Sequence, residues 1–283
     1  MAARTSPTER QKRLGAEVRR MRIAADMSAE QAAGLLGVDR SKISQIESGN
    51  RAISPERLRT LACNCACTDE SYVAALADMA SIQPRGWWER YRGALSPGFL
   101  DIAEVEWHAV RMRSAHVVHV PGILQTSDYA TAVFQAVVPP LPAHEVALRV
   151  AHRLERQQVL EGDDPPEYLG IVHEAALHMQ FGGRKVARAQ LEHLLTLSER
   201  ESVILRVIPY EGGAFPGAGQ TVNYYEGPVP RLDTAEVDST HGPAFLHQEA
   251  QLDKYRAQLD WMERISLQPN ESQDFIRDLA NRL

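Results

Sequence analysis

The sequence predicts a two-domain protein, in which an all-α domain of five helices precedes a helix-rich α+β domain. Three observations support this prediction. The chain has 283 residues, which is enough for two separate hydrophobic cores. Apolar residues recur at helical spacing in the first part of the chain without any strand signal. In the later part, runs of β-branched residues alternate with helical patterns, which is typical of a mixed domain.

The N-terminal domain is predicted from the spacing of its apolar residues. Residues 1–13 are polar, and we expect a disordered arm there. The domain is placed at residues 14–84, and a last helix is expected near residues 71–80. The segment RGWWERYRG follows, so residues 85–100 are predicted to form a junction in which Trp87 and Trp88 pack.

The C-terminal domain is predicted to occupy residues 101–283. Helices are expected near residues 101–113, 127–137, 143–160, 185–200, 248–265 and 271–282. Strands are expected at EYLGIV, SVILRVIP, TVNYY and RLDTAEVD. The apolar run VVHV, with His116 and His119, also has the alternation of a strand.

Composition and charge restrict the class of protein. No apolar run approaches the roughly 18 residues of a membrane span, and the first residues lack the apolar segment of a secretion signal. We therefore expect a cytoplasmic protein with no membrane partner. The net charge of -6 is unevenly distributed, because residues 1–60 hold 12 Lys or Arg and 7 Asp or Glu. A basic N-terminal part in an acidic protein favours a nucleic-acid partner there.

The segment MSAEQAAGLLGVDRSKISQIESGNRAIS predicts two short helices that meet at a sharp angle. Ser28 and Gln31 have the spacing of a capping box at the start of the first helix. Gly37 can adopt the left-handed conformation that ends this helix. Asp39 is expected to cap the second helix, on which the isoleucines face inward.

The outer face of the second helix is polar. Arg and Lys can pair with guanine in the major groove, Gln with adenine, and Ser with either base. We therefore predict base contacts, with Arg40 and Gln45 as the first choices, from Arg40, Ser41, Lys42, Ser44 and Gln45. Contacts to the DNA backbone are predicted from Arg22, Asn50 and Arg51.

The motif LLGVDRSKISQIESGNR closely resembles the helix-turn-helix of the Cro and phage-repressor class, also called the xenobiotic-response-element family. The resemblance covers about residues 14–80. It implies a lambda-repressor-like domain that binds double-stranded DNA and regulates transcription. The family usually has Gln directly after the cap of the first motif helix, whereas this chain has Ala29, which puts one customary contact in question.

Later segments, VPGILQTSDYATAV, RQQVL, HEAALHMQFGG and VIPYEGGAFPG, look like the uncharacterised C-terminal domain of actinobacterial regulators with this architecture. This resemblance suggests action with a small partner protein. We predict a homodimer on a two-fold symmetric operator, with a C-terminal domain that responds to a small-molecule effector or a small partner protein. The alternative is an antitoxin-like interaction module that binds a small partner and autoregulates.

Two other groups could carry chemistry. His173 and His178 flank Glu174, but they are five residues apart rather than the four of zinc metalloproteases, so packing at a strand end and helix start is favoured. A redox or soft-metal role is open for Cys63, Cys65 and Cys67, although core or turn cysteines are favoured at the predicted turn between the fourth and fifth helices.

The glycine-rich segment EGGAFPGAG lacks the Lys and Ser or Thr of a phosphate-binding loop. Aromatic residues near it could line a ligand pocket, although packing in the core is favoured for Tyr210, Phe215, Tyr224 and Tyr225. We therefore predict no catalytic residues, no metal and no cofactor.

Overall fold

The structure is a computed structural model that describes residues 6–81, 86–214, 220–239 and 242–283. Within these residues the N-terminal domain consists of five helices, which confirms the predicted all-α fold. They are α1 (Glu9–Ala24), α2 (Ala29–Leu36), α3 (Arg40–Glu47), α4 (Pro55–Asn64) and α5 (Glu70–Ala80). Their inner faces enclose one core, which includes Val18, Met21, Leu36, Ile43, Ile46, Leu58, Leu61, Tyr72 and Leu76.

The first helix begins earlier than predicted. The Thr8 hydroxyl accepts a hydrogen bond from the Gln11 N–H at 3.3 Å, and the Gln11 side chain accepts one from the Thr8 N–H at 3.0 Å. This capping box satisfies N–H groups that an uncapped helix start would leave open. Residues 9–13, expected to be a disordered arm, are therefore helical, and Arg13 is buried.

The C-terminal domain combines helices with a mixed sheet. Its helices are α6 (Pro97–Trp107), α7 (Ser127–Gln135), α8 (Ala143–Arg156), α9 (Glu174–His178), α10 (Arg184–Leu197), α11 (Glu249–Ile265) and α12 (Pro269–Arg282). Its strands are β1 (Arg111–His116), β2 (Glu167–His173), β3 (Val203–Ile208), β4 (Val222–Glu226), β5 (Thr234–Val237) and β6 (Ala244–Leu246). The α+β prediction is confirmed.

The six strands form one sheet in the order β3-β2-β1-β4-β5-β6. Strands β1, β2 and β3 are parallel, while β4, β5 and β6 pair antiparallel. The sheet is covered on both faces: α10 and α12 contribute to one core, and α11 contributes to the other. In the part of the chain that is described, no helix is both long and apolar enough to cross a bilayer.

The region around β1 differs from the prediction. The helix expected over residues 101–113 ends at Trp107, and β1 starts at Arg111. Arg113, Ser114 and His116 are buried polar residues of this strand, and they conceal its apolar alternation in the sequence. His119 lies beyond the end of the strand, so it is not the strand residue that we expected.

The predicted junction is largely ordered. A short 3-10 helix spans Trp87–Tyr91, and α6 begins already at Pro97. Trp88 is buried in a small apolar cluster with Leu100, and the Trp87 ring lies edge-on to it with 5.9 Å between centroids. The expectation that both tryptophans pack at the junction is confirmed.

Candidate nucleic-acid interface

Helices α2 and α3 form a helix-turn-helix whose turn is set by local chemistry. The Ser28 hydroxyl accepts from the Gln31 N–H at 3.2 Å and the Gln31 side chain accepts from the Ser28 N–H at 2.7 Å, so the predicted capping box is present. Gly37 ends α2 in the left-handed conformation, with φ 63° and ψ 40°, a region in which a Cβ is disfavoured. The predicted turn is therefore confirmed.

The cap of α3 differs from the prediction. Asp39 has the extended backbone of a capping residue, but its side chain makes no capping hydrogen bond. Its carboxylate instead lies 3.1 Å from the Lys42 ammonium. Both side chains are exposed enough for solvent to screen this pair, so Lys42 can leave Asp39 for another anion at little cost.

Helix α3 separates an apolar face from a polar one. Ile43 and Ile46 are buried against the other helices. All five predicted base contacts lie outside this core: Arg40, Ser41 and Ser44 are exposed, and Lys42 and Gln45 are half-buried. The short helix thus presents several hydrogen-bonding side chains near its N-terminus, as entry into a major groove requires.

Close contact with α1 holds α3 in place. A Cβ on Gly15 of α1 would clash with the Ile46 carbonyl oxygen, so only glycine allows this approach. Gly49, just after α3, has φ +76° and lies against the backbone of Lys12, again where a Cβ would clash. The orientation of α3 is therefore tied to that of α1.

Arg22, predicted to contact the DNA backbone, has partners inside the domain. The Arg22 guanidinium donates to both carboxylate oxygens of Glu47 at 2.6 and 3.0 Å, and to the Met27 carbonyl at 2.7 Å. The hydrogen bonds with Glu47 raise the pKa of Arg22. These bonds join α1 to α3, so Arg22 helps to position α3, and its contact with a phosphate stays a prediction.

The loop after α3 carries the other predicted backbone contacts. Asn50 and Arg51 are both exposed, and the Asn50 amide donates to the Ser48 hydroxyl at 2.8 Å. Arg57 in the first turn of α4, a basic residue that was not among the predicted contacts, is also exposed. The Ser54-Pro55 pair, which is typical of a helix start, could have placed it close behind this loop.

A buried cluster of charges stabilises the base of α1. The Glu17 carboxylate is fully buried and accepts from the Tyr72 hydroxyl at 2.5 Å and from Arg20 at 2.9 Å. The Arg13 Nε lies 3.2 Å from the same carboxylate. Burial, together with the nearby Glu17 carboxylate, raises the pKa of Tyr72, so the phenol stays protonated as the donor.

The same cluster connects the two domains. Arg13 donates to the carbonyl oxygens of Arg231 at 2.6 Å and His247 at 3.0 Å. The Arg231 guanidinium lies over the Tyr72 ring, 4.3 Å from its centroid. Leu232 is buried in the core of the N-terminal domain. The C-terminal domain therefore contacts the helical domain through α1 and α5.

The aromatic residues predicted near a ligand pocket do not come together. Tyr210 is exposed, whereas Tyr224 and Tyr225 are buried. As neighbours on β4, Tyr224 and Tyr225 belong to cores on opposite faces of the sheet. Phe215 lies outside the described residues. A single pocket lined by Tyr210, Tyr224 and Tyr225 is thus wrong.

His173 and His178 lie at the end of β2 and in α9, where local hydrogen bonds hold them. His173 ends β2, and its Nδ1 accepts from the Ala175 N–H at 3.1 Å. Glu174 accepts from the Tyr210 N–H at 2.8 Å, and its other oxygen lies 3.2 Å from His178 Nε2. These contacts agree with the predicted strand end and helix start. Among the residues that the structure describes, no three His, Cys, Asp or Glu side chains are arranged to hold a metal ion.

The cysteines lie where α4 turns towards α5, as expected. Cys63 is exposed in the last turn of α4, and Cys65 and Cys67 are half-buried after it. All three are free thiols. Burial raises the pKa of Cys65, so this thiol is less nucleophilic than an ordinary cysteine.

The geometry of α2 and α3 defines a helix-turn-helix protein, and this class implies a DNA-binding regulator. In agreement, residues 13–78 match a family described as "Helix-turn-helix domain". Residues 99–278 match the family described as "Domain of unknown function (DUF5753)". Because this second match covers more than half of the chain, the chain belongs to the DUF5753 family. No curated protein and no solved structure matches the chain.

Proposed function

We propose that the chain is a sequence-specific transcriptional regulator that binds an operator as a homodimer and is controlled through its C-terminal domain. The observation that carries this proposal is the polar face of α3. Arg40, Ser41 and Ser44 are exposed there, while Ile43 and Ile46 anchor the helix from the other side. This arrangement suits direct contact with base edges.

The length of the recognition helix supports a dimer. Helix α3 has eight residues and therefore extends about 12 Å, which spans only a few base pairs. Recognition of a few base pairs gives little discrimination, because each specific contact contributes only about 1–3 kcal/mol. Two copies on half-sites about one helical turn apart would double the number of contacts.

The contact between domains supports control by the C-terminal domain. Helix α1 packs on α3 through Gly15, and Arg13 of the same helix bonds to two carbonyl groups of the C-terminal domain. An effector or a small partner protein that favours one arrangement of the C-terminal domain would change DNA affinity by its difference in affinity for the two states. For His173, Glu174 and His178 we propose a packing role and no catalysis.

The test is selection of bound sequences from a random duplex pool by the full chain, followed by titrations at several salt concentrations. We expect a two-fold symmetric site, and light scattering should show a dimer. Arg40→Ala should cost about 1–3 kcal/mol and relax the preference at one base position. Arg51→Ala should weaken binding to all sequences and reduce the salt slope by about one.

A matched control is Arg188→Ala, since Arg188 is an exposed arginine on α10 of the C-terminal domain. Its loss removes one positive charge without altering the helix-turn-helix, so affinity and preference should stay unchanged. If Arg40→Ala behaves like this control, Arg40 makes no base contact. If no sequence is enriched, the regulator proposal fails and the antitoxin-like interaction module becomes the better explanation.

A further inference from the structure

A cavity lies between the two domains, next to α1. It has a volume of about 100 Å³ and is lined by the first turns of α1, by α5, by α6 and by the segment after β4. An apolar cavity of about 150 Å³ can hold benzene, whereas a water molecule needs only about 10–15 Å³. The cavity is smaller than one that holds benzene, so it suits a short branched chain rather than an aromatic ring.

The walls of the cavity combine apolar surface with several charged and polar side chains. Ala75, Met79, Val105 and Ala109 contribute apolar surface. Tyr225 reaches this cavity as well, although Tyr210 and Tyr224 do not line it. A concave site with apolar surface at a boundary between domains is typical of small-molecule sites, and the charged groups here would select the charge of the ligand.

Four polar atoms of the wall residues make no hydrogen bond with the described residues: Arg13 Nε, Glu104 Oε2, Tyr225 Oη and His247 Nε2. Arg13 Nε still lies 3.2 Å from the Glu17 carboxylate, and His247 Nε2 lies 3.9 Å from that of Glu9. The Tyr225 hydroxyl is uncharged because burial raises its pKa, which leaves the carboxylate oxygen of Glu104.

The Glu104 Oε2 atom is buried and has no hydrogen-bond partner among the described residues. Burial raises the pKa of Glu104, although the nearby Thr8 side chain and the charge of Arg10 act in the opposite direction. A buried acceptor without a donor is costly, and a bound donor would remove that cost.

The neighbouring groups agree with a donor as the missing partner. Burial lowers the pKa of His108 to about 4, so this ring is neutral at physiological pH and does not repel a cationic donor. Glu9, Asp78 and Glu226 add three further carboxylates at the cavity. Arg10 and Arg13 also line it, and Arg10 is attracted by both Glu104 and Asp78, so the two guanidinium groups offset part of the negative charge.

We propose that this cavity between the domains binds a small, mainly apolar molecule that carries an amine and donates a hydrogen bond to Glu104. Helix α1 transmits the binding of this molecule to helix α3. Glu9, Arg10 and Arg13 of α1 line the cavity, and Gly15 of the same helix lies against the carbonyl of Ile46 in α3. A shift of this rigid helix must therefore move the recognition helix. This second step rests on the proposed DNA-binding function.

Binding is tested on the full chain with the methionine methyl groups labelled with ¹³C. Met79 lines the cavity and reports occupancy, whereas the exposed Met179 reports nonspecific effects. Isopropylamine is the probe, and isobutyrate is the control with the same branched chain and the opposite charge. We expect a saturable shift of the Met79 signal with isopropylamine, no such shift with isobutyrate, and no change at Met179.

Two variants make the test specific. Glu104→Gln should weaken isopropylamine binding at least tenfold, and Ala109→Trp should abolish it by filling the space. The remaining methionine signals show whether each variant is folded. If isopropylamine gives no saturable Met79 shift at millimolar concentration, or binds Glu104→Gln as tightly as the wild type, the site is wrong.

Coupling is tested separately, with the selected operator duplex. We expect isopropylamine to change operator affinity in the wild type and to leave it unchanged in Glu104→Gln. A Met79 shift with unchanged operator affinity overturns transmission through α1 but keeps the site. If the protein binds no DNA sequence specifically, the proposed function fails, and the Met79 titration still decides the binding site.

Discussion

Removal of the Tyr72 hydroxyl measures how strongly the buried cluster stabilises α1. In Tyr72→Phe the ring stays, so the stack beneath the Arg231 guanidinium is kept. The lost interaction is the hydrogen bond of 2.5 Å from the phenol to the Glu17 carboxylate. Hydrogen bonds to charged groups contribute about 1.5–3 kcal/mol. Glu17 keeps Arg13 and Arg20, so we expect this cost and not the 3–5 kcal/mol of an unpaired buried charge.

The assay is native-state hydrogen exchange of the α1 amides in the full chain. A cost of about 1.5–3 kcal/mol predicts exchange that is roughly 10- to 150-fold faster in Tyr72→Phe, since about 1.4 kcal/mol corresponds to tenfold. Tyr210→Phe is the matched control, because Tyr210 is 57% exposed. It should leave the α1 amides unchanged.

A double-mutant cycle with Glu17→Gln isolates the pair. The coupling between the two changes should account for most of the cost of Tyr72→Phe, because the hydroxyl and the carboxylate are direct partners. Exchange of the α1 amides within twofold of the wild type in Tyr72→Phe would refute the reasoning, as it would mean that the hydrogen bond adds nothing to the stability of α1.

Three further changes test other contacts. Gly15→Ala places a methyl group against the Ile46 carbonyl. We expect the free energy of unfolding, measured in urea, to decrease by about 1–3 kcal/mol, and operator binding to weaken. Unchanged values would contradict the close approach of α1 to α3. Arg156→Met leaves buried Glu106 without the two hydrogen bonds of 2.5 and 2.8 Å; we expect a loss of about 3–5 kcal/mol in urea unfolding, partly recovered by adding Glu106→Leu. Burial lowers the pKa of His152 to about 3, so the folded protein keeps it neutral while the unfolded chain binds a proton below about pH 6.5. Above that pH, His152 takes nothing from the free energy of unfolding. On acidification the unfolded chain gains a proton that the folded protein does not, so the free energy of unfolding decreases by roughly 2–3 kcal/mol between pH 6.5 and 4.5. His152→Leu should flatten the pH dependence of the unfolding free energy; an equal slope in both proteins would be evidence against a buried neutral imidazole.

The helix-turn-helix could be predicted from sequence because its determinants are local. Ser28, Gln31 and Gly37 act within their own helix and turn, and each has the role that its residue type suggests. The early start of α1 was also encoded locally, in the capping-box spacing of Thr8 and Gln11, but the polar composition of the first residues concealed it.

Other features depend on partners that are distant in the chain. Strand β1 is buried although it contains Arg113, whose guanidinium donates to Asp260 at 2.7 Å. Such a residue in a central strand contradicts apolar alternation, and its acidic partner cannot be inferred from spacing. Nor does anything in the sequence indicate the pairing of Arg22 with Glu47 across the domain.

The contact between the domains also depends on residues that are distant in the chain. Arg13 is separated by more than 200 residues from the carbonyl groups of Arg231 and His247 that it reaches. A basic residue near the N-terminus fits a solvated arm equally well, so sequence reasoning placed it there. The cavity next to this contact could not be predicted either, because its walls come from both domains.

The segment that carries Val229 and Leu232 also limits how this architecture can be recombined. These two side chains complete the core of a domain that ends about 150 residues earlier in the chain. A chimera that joins residues 1–81 to a foreign sensor would carry a hole where Leu232 packs and would expose the Tyr72 ring that Arg231 covers. The DNA-binding domain is therefore not an interchangeable module. We expect its exchange between regulators to succeed only when the segment that carries Val229 and Leu232 is transferred together with it.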